Sequence, residues 1–179
     1  MGGGRTVGGI SCGAVTTALL ERQAVAEGTS QPFDARQVAV GRRVMKVGSR
    51  LNIWLYRATG GRVGGRFPRG APVLLMTSVG RRSGLERTVP LLYLEDGDRL
   101  VVVASQGGMP THPDWYHNVV AHPRVEVEQG RRVREMVARV ADEAERDALW
   151  PRLVAVYRGY DDYQARTDRR IPVVVLDPV

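Results

Sequence analysis

The chain has 179 residues and is short of the residue types that several common chemistries need. It holds one cysteine, Cys12, so neither an internal disulfide nor a thiolate metal cluster can form, and a reducing, cytoplasmic compartment fits best. No apolar run approaches the roughly 18 residues of a bilayer-spanning helix. The three histidines, His112, His117 and His122, are spaced by five, which stacks no side chains on one helix face and matches no recognised metal-ligand spacing. No glycine-rich loop is followed by the Lys-Ser/Thr pair of a Walker motif. Ser105, in Ala104-Ser105-Gln106-Gly107-Gly108, lacks the surroundings of a nucleophile elbow. Metal, nucleotide-hydrolysing and serine-hydrolase chemistries therefore find little to stand on.

What the chain does have is positive charge, unevenly placed. The net charge is +7, and residues 36–87 hold twelve Lys or Arg against one acid, Glu86. That segment calls for an anionic partner: nucleic acid, acidic lipid, or a phosphorylated or carboxylated small molecule. A solvated basic face is the plain alternative. Hydrophobic residues make up 43% and charged residues 25%, the composition of one folded globular domain. Residues 1–36, with glycine-rich patches and a weak apolar island at Leu19-Leu20, read as a disordered tail or a start placed too far upstream. Residues 37–179 read as the domain.

Val40, Val44, Val47, Leu51, Trp54 and Leu55 recur at mostly helical steps, with Arg42, Arg43, Lys46, Arg50 and Arg57 between them, until Gly60-Gly61 ends the pattern. A basic amphipathic helix over residues 40–58 either packs its apolar stripe on the core or lies on an anionic membrane from the cytoplasmic side. The period then changes. Strands are expected over Val73–Val79, Arg87–Leu94 (with Pro90 at an edge or bulge), Leu100–Ser105, Val125–Gln129, Val133–Val140 and Ile171–Leu176. Asp96-Gly97-Asp98 and Gly130 mark hairpins. Helices are expected over Asp114–Ala121, from Ala144 towards Tyr157 with a capping box at Asp142 and Glu145 and a kink or restart at Pro151, and over Tyr160–Arg166. Six strands in hairpins with inserted helices predict an α+β fold, a mostly antiparallel sheet curled into a barrel.

Gly80-Arg81-Arg82-Ser83-Gly84, with Arg87 three residues on, is the sharpest local signal. Glycines turn the backbone so that N–H groups are exposed, and guanidiniums beside such a turn suit phosphate or carboxylate. A solvated hairpin with basic tips reads equally well from this stretch alone. Tyr157, Tyr160 and Tyr163 step by three, and Trp115-Tyr116 open a helix; these aromatics line a flat ligand or fill half-buried packing positions.

Three groups of residues, taken in order, resemble the deazaflavin-dependent nitroreductase family. The first is Gly80-Arg81-Arg82-Ser83-Gly84, Arg87-Thr88-Val89-Pro90-Leu91 and Ala104-Ser105-Gln106-Gly107-Gly108. The second is Pro113-Asp114-Trp115-Tyr116-His117-Asn118 running on to Pro123, and the third is Tyr157, Tyr160-Asp161-Asp162-Tyr163 and Thr167-Asp168-Arg169 before Ile171-Pro172. The resemblance covers about residues 37–177. It implies a split β-barrel of the flavin-reductase and FMN-binding kind, holding the deazaflavin coenzyme F420, whose phosphate and polyglutamate arm matches the basic segment. It further implies that Arg81, Arg82, Ser83 and Arg87 hold the anionic arm, and that Ala104, Ser105, Gln106 and Gly107 run along the ring with Trp115 and Asn118 nearby. Tyr157, Tyr160 and Tyr163 then close the substrate side, and Ser105 and Tyr163 hydrogen-bond the acceptor. Arg82 and Gln106 stand where the family commonly has Lys, and Val89 where it often has Asn.

The implied activity is hydride transfer from reduced F420 to a quinone, nitroaromatic or activated enone. Rival readings are the same barrel binding FMN, or F420 in another role, and a basic module for nucleic acid or anionic membranes. No helix-turn-helix and no aromatic stacking platform among the basic residues supports nucleic-acid binding.

Overall fold

The computed structural model describes residues 53–67 and 70–179. The tail expected over 1–36, and most of the basic helix expected from Val40, lie outside those residues. Six strands follow in order: β1 (Val73–Val79), β2 (Glu86–Asp96), β3 (Arg99–Val103), β4 (Arg124–Gln129), β5 (Arg132–Val140) and β6 (Val173–Pro178). Helix α1 (Asp114–Ala121) lies between β3 and β4, and α2 (Glu143–Val156) and α3 (Gly159–Ala165) lie between β5 and β6. The strands close into an antiparallel barrel in the order β1-β2-β3-β6-β5-β4, with β4 returning to β1.

The strand sequences explain two different burial patterns. Leu100–Val103 and Val173–Leu176 are continuous apolar runs, and every residue in them is at most 5% exposed. They need partners on both faces. Inward, Leu100, Val102, Val174 and Leu176 meet Leu74, Met76, Val125, Val127, Met136 and Ala138, and Trp115 and Val119 of α1 plug that interior. Outward, Val101, Val103, Val173 and Val175 are covered by Leu149 and Leu153 of α2 and Tyr160 of α3. β4 alternates instead, with Val125 and Val127 buried and Arg124 and Glu126 exposed, because nothing among the described residues covers its outer face there.

The hairpins fall where expected. Two residues, Gly97-Asp98, connect Asp96 to its partner Arg99, and Gly130-Arg131 connect Gln129 to Arg132. Gly97 and Gly130 take φ of +69° and +63°, the hand such short loops require. β2 pairs with β1 from Glu86 to Leu92 but with β3 only from Tyr93 to Asp96. Pro90, opposite Leu75, therefore has a strand on one side only, where its missing N–H is tolerated. Beyond Tyr93 the two strands diverge like a fork. Along the free arm, Leu91, Val89 and Arg87 oppose Leu74, Met76 and Ser78 and so share the inner face.

Three local expectations are corrected. Trp54 does not join the buried stripe of its helix: it is 65% exposed, and Tyr56 is the buried residue at 1%. The Tyr56 hydroxyl accepts from the Gly130 N–H at 2.7 Å and lies 3.2 and 3.1 Å from the Val73 and Glu128 carbonyls, so polar bonding to three segments selects that face. Helix α2 also continues through Pro151 without a restart. Only half of the expected capping box forms: the Asp142 carboxylate accepts from the Glu145 N–H at 2.8 Å, but the Glu145 carboxylate turns to Arg139 and Arg99 instead of the Asp142 N–H.

Candidate functional site

The turn after β1 is closed by its own backbone. The Gly80 N–H donates to the Leu85 carbonyl at 2.9 Å, and the Gly84 N–H donates back to the Gly80 carbonyl at 2.8 Å. Asn118, buried on α1, accepts through Oδ1 from both the Arg81 N–H and the Arg81 guanidinium, each at 3.2 Å. The Arg81 guanidinium also lies 3.9 Å from the Asp114 carboxylate. Arg81 and Asn118 thus lock the turn to α1, which directs their polar groups to each other. Arg82, Ser83 and Arg87 stay exposed, and neither Arg82 nor Arg87 meets an acid among the described residues.

The loop after β3 has an unusual backbone. Ser105 is right-handed (φ −71°, ψ −41°), and Gln106, Gly107 and Gly108 follow at φ +48°, +67° and +79°. A right-handed residue followed by a left-handed one turns successive N–H groups to one side, a small anion- or carbonyl-binding concavity. No backbone carbonyl among the described residues accepts from the N–H of Ser105, Gln106 or Gly107. The Gln106 side chain folds back, its amide donating to the Met109 sulfur at 3.4 Å.

Helix α3 seats directly on this loop. A Cβ at Gly108 would stand 2.7 Å from the Tyr163 carbonyl and 3.1 Å from its Cα. The Tyr163 and Tyr157 hydroxyls are 3.0 Å apart, and Phe67 meets Tyr157 edge-on with ring centroids at 5.5 Å. Burial, then the bond to Tyr157, pushes the Tyr163 phenol up to about 12, so its proton is retained at neutral pH. Tyr160 differs from its expected place on the substrate side. At 4% exposed it belongs to the outer core with Leu149, Leu153 and Ile171, and burial raises its phenol pKa well above the ordinary range. Trp115, 7% exposed, fills the barrel mouth.

Two further residues meet at this loop, Arg169 from the Thr167-Asp168-Arg169 group and His112, neither with a role assigned from the sequence. The Arg169 guanidinium donates to the carbonyls of Ala104, Ser105 and Met109 and reaches His112 Nδ1 at 3.1 Å. A guanidinium cannot accept, so His112 Nδ1 is unprotonated. Burial, then the charges of Arg169 and His117, holds His112 below its usual pKa. The rings of His112, Tyr116 and His117 cluster with centroids 4.8 to 5.9 Å apart, since His112 approaches from the loop rather than along the helix. No group of His, Cys, Asp or Glu among the described residues could hold a metal ion.

The contacts run in sequence: turn 80–84 to α1, loop 104–112 to α3, Tyr163 to Tyr157. They form a rim rather than an enclosed chamber. Cavities of about 180 and 290 Å³ lie elsewhere, between α1 and β5 and on the outer side of β1 and β4.

This arrangement sits in a chain whose relatives are well defined. The family model for F420H(2)-dependent quinone reductase matches residues 48–178. An F420H(2)-dependent quinone reductase of Mycobacterium tuberculosis is 41% identical over 131 residues, covering 71% of this chain and 87% of that protein. Among solved structures, an F420-H2 dependent reductase (FDR-A) is 42% identical with a TM-score of 0.56, over 59% of this chain and 94% of its own. Another, described as a domain-swapped dimer, is 31% identical with a TM-score of 0.58, over 90% of this chain and 99% of its own. By sequence over most of its length, and by its barrel, the chain belongs to the F420H(2)-dependent quinone reductase family.

Proposed function

We propose that this chain binds reduced F420 along the rim from the Gly80 turn to loop 104–107 and delivers its hydride to a quinone held against Tyr157 and Tyr163. The observation that carries the placement is a donor set with no internal acceptor. It comprises the exposed guanidiniums of Arg82 and Arg87 and the N–H groups of Ser105, Gln106 and Gly107. That set fits the chemistry of the coenzyme, an anionic phosphate and glutamate arm joined to a flat ring with carbonyl oxygens at one edge.

When bound, reduced F420 supplies a hydride at one ring carbon, and the acceptor's oxygen gains charge as it is reduced. The chain's part is to bind, align and stabilise. Arg82 and Arg87, with Ser83, hold the arm. Loop 104–107 fixes the ring through its backbone, and holding donor and acceptor in register converts an encounter between two molecules into one within a complex. Of the Tyr157–Tyr163 pair, one hydroxyl donates to the other, which leaves one O–H free for the acceptor's oxygen. Burial, then the bond to Tyr157, raises the Tyr163 phenol, so Tyr163 keeps its own proton within the pair. Ser105 adds a half-buried hydroxyl with no partner among the described residues. Nitroaromatics and activated enones present the same conjugated oxygen and are expected as further acceptors.

The test is anaerobic mixing of purified protein with reduced F420 and menadione. Oxidation of the cofactor, with NADPH inert as donor, is expected. Tight F420 binding with no turnover of any quinone, nitro compound or enone would refute the catalytic reading and leave a carrier.

A peripheral membrane contact is the second reading. It is supported by Trp54, 65% exposed at the end of a stretch rich in arginine and lysine, where an indole beside cations suits an anionic interface. Co-sedimentation with phosphatidylglycerol vesicles, lost in Trp54→Ser, checks it.

A further inference from the structure

Arg169 lies between α3 and β6, and its charge is partly buried. Desolvation holds its pKa below the ordinary arginine value, yet no carboxylate among the described residues compensates it. Its partners are carbonyls instead. Nε donates to Met109 O at 2.8 Å, Nη1 to Ala104 O at 3.3 Å, and Nη2 to Ala104 O at 3.3 Å and Ser105 O at 2.7 Å.

Two of those carbonyls decide which way the loop points its donors. The peptide carbonyl of Ala104 shares its plane with the Ser105 N–H, and that of Ser105 with the Gln106 N–H. All described peptide bonds are trans, so each N–H points away from the oxygen across the bond, and hence away from Arg169. The right-then-left-handed pair at Ser105 and Gln106 brings the two N–H groups to a common side, where no carbonyl among the described residues takes them. A cation on the carbonyl end also polarises the peptide and strengthens its N–H as a donor.

We propose that Arg169 is the positioning residue of the cofactor site. By gripping the carbonyl ends of these two peptides, it sets the direction and strength of the N–H pair that receives the carbonyl edge of the deazaflavin ring. The inference rests on the reading above that the ring lies along loop 104–107. It assigns the recognition of the ring, as distinct from the anionic arm, to a partly buried charge that acts through the loop backbone.

The experiment compares Arg169→Gln, Arg169→Lys and Arg82→Ala with the parent protein. The probes are F420 and a deazariboflavin that carries the same ring and ribityl chain but no phosphate or glutamates. Fluorescence titration gives affinities, and the absorption band of the bound ring at saturation reports whether its carbonyl edge is engaged. For Arg169→Gln the expected result is about a tenfold loss of affinity for both probes, with the bound band moved towards that of the free ring. Arg169→Lys, which keeps the charge but not the fork, should fall between. Arg82→Ala should weaken F420 alone and leave the bound band in place. A purely structural role would instead lower the melting temperature and leave Arg169→Lys no better than Arg169→Gln in affinity and band.

Parent protein that binds neither probe would overturn the site reading itself. Parent protein that binds both, with Arg169→Gln matching it in affinity and band, would overturn the role of Arg169 and leave the site standing. Should Arg169→Gln fail to fold, a folded Arg169→Lys protein indistinguishable from the parent on both probes refutes the inference, and an intermediate band supports it.

Discussion

Replacing Gly108 by alanine tests whether the contact between loop and helix is as tight as the site requires. Two separable penalties act there. At φ +79° a Cβ meets the ordinary left-handed penalty, about 1–2 kcal/mol. The added carbon also stands 2.7 Å from the Tyr163 carbonyl and 3.1 Å from its Cα, which are backbone atoms and cannot rotate aside. Overpacking of this kind costs a further ~1–3 kcal/mol. Gly107 is the internal control, since at φ +67° it has nothing within 4 Å of the added carbon and meets only the first penalty. Urea unfolding should therefore place Gly108→Ala about 1–3 kcal/mol below Gly107→Ala, with equal m-values. In steady-state kinetics Gly108→Ala should also weaken quinone turnover, because Tyr163 is the residue pushed. Equal stability of the two variants would mean that α3 does not seat on the loop, and the Tyr157–Tyr163 wall would lose its anchor.

Other outcomes follow from the same geometry. Arg82→Ala should cost about 1.5–3 kcal/mol of F420 affinity, roughly ten- to a hundredfold in KM for F420, with kcat changed far less, whereas Tyr163→Phe should lower kcat with little change in F420 affinity. Arg57 is held by Glu128, whose side chain is 10% exposed, so Arg57→Met should lose about 2–3 kcal/mol in urea unfolding and the double variant with Glu128→Met should recover part of it. His112 is held below its unfolded value of 6.5 by burial, then by Arg169 and His117, with Tyr116 the remaining ring against it. The unfolded chain therefore binds more protons in that window. The contribution is complete above pH 6.5 and is lost as pH falls through the folded value, so the fall of melting temperature with acid should flatten in His112→Asn.

Much of the fold is legible one segment at a time. Helix α1 and strand β1 fall within the bounds their patterns predict, because Pro113 and Pro123 bracket the one and the Gly80 turn ends the other. Arg82 and Arg87 are legible as exposed cations beside a glycine turn, although a solvated hairpin with basic tips reads equally well from that stretch alone. Arg81 and Asn118 are less so: the same turn holds them, but they serve each other. The three tyrosines read as a single wall, yet a step of three places neighbours on one helix side only while the helix continues. The extended backbone of Tyr157 breaks the run between α2 and α3; the three rings still cluster, with centroids 5.3 to 6.4 Å apart, but Tyr160 is buried in the core while Tyr157 and Tyr163 meet through their hydroxyls.

The sequence alone determined the period of each element, the hairpins at Gly97 and Gly130, the basic character of residues 36–87 and the ordered residue groups that mark the family. These depend on neighbours a few positions apart, where backbone preference and hydrophobic alternation act directly. Tertiary structure alone decided how β3 finds β6 and β4 finds β1, why β2 and β3 part beyond Tyr93, why Tyr56 is buried and Trp54 is not, and that Arg169 grips a loop about 60 residues before it. Periodicity says that a face is apolar or polar but carries no information about which distant face will meet it. That choice is made by barrel closure, which pairs all the strands at once and leaves a guanidinium among carbonyls whose N–H groups then have only one side to face.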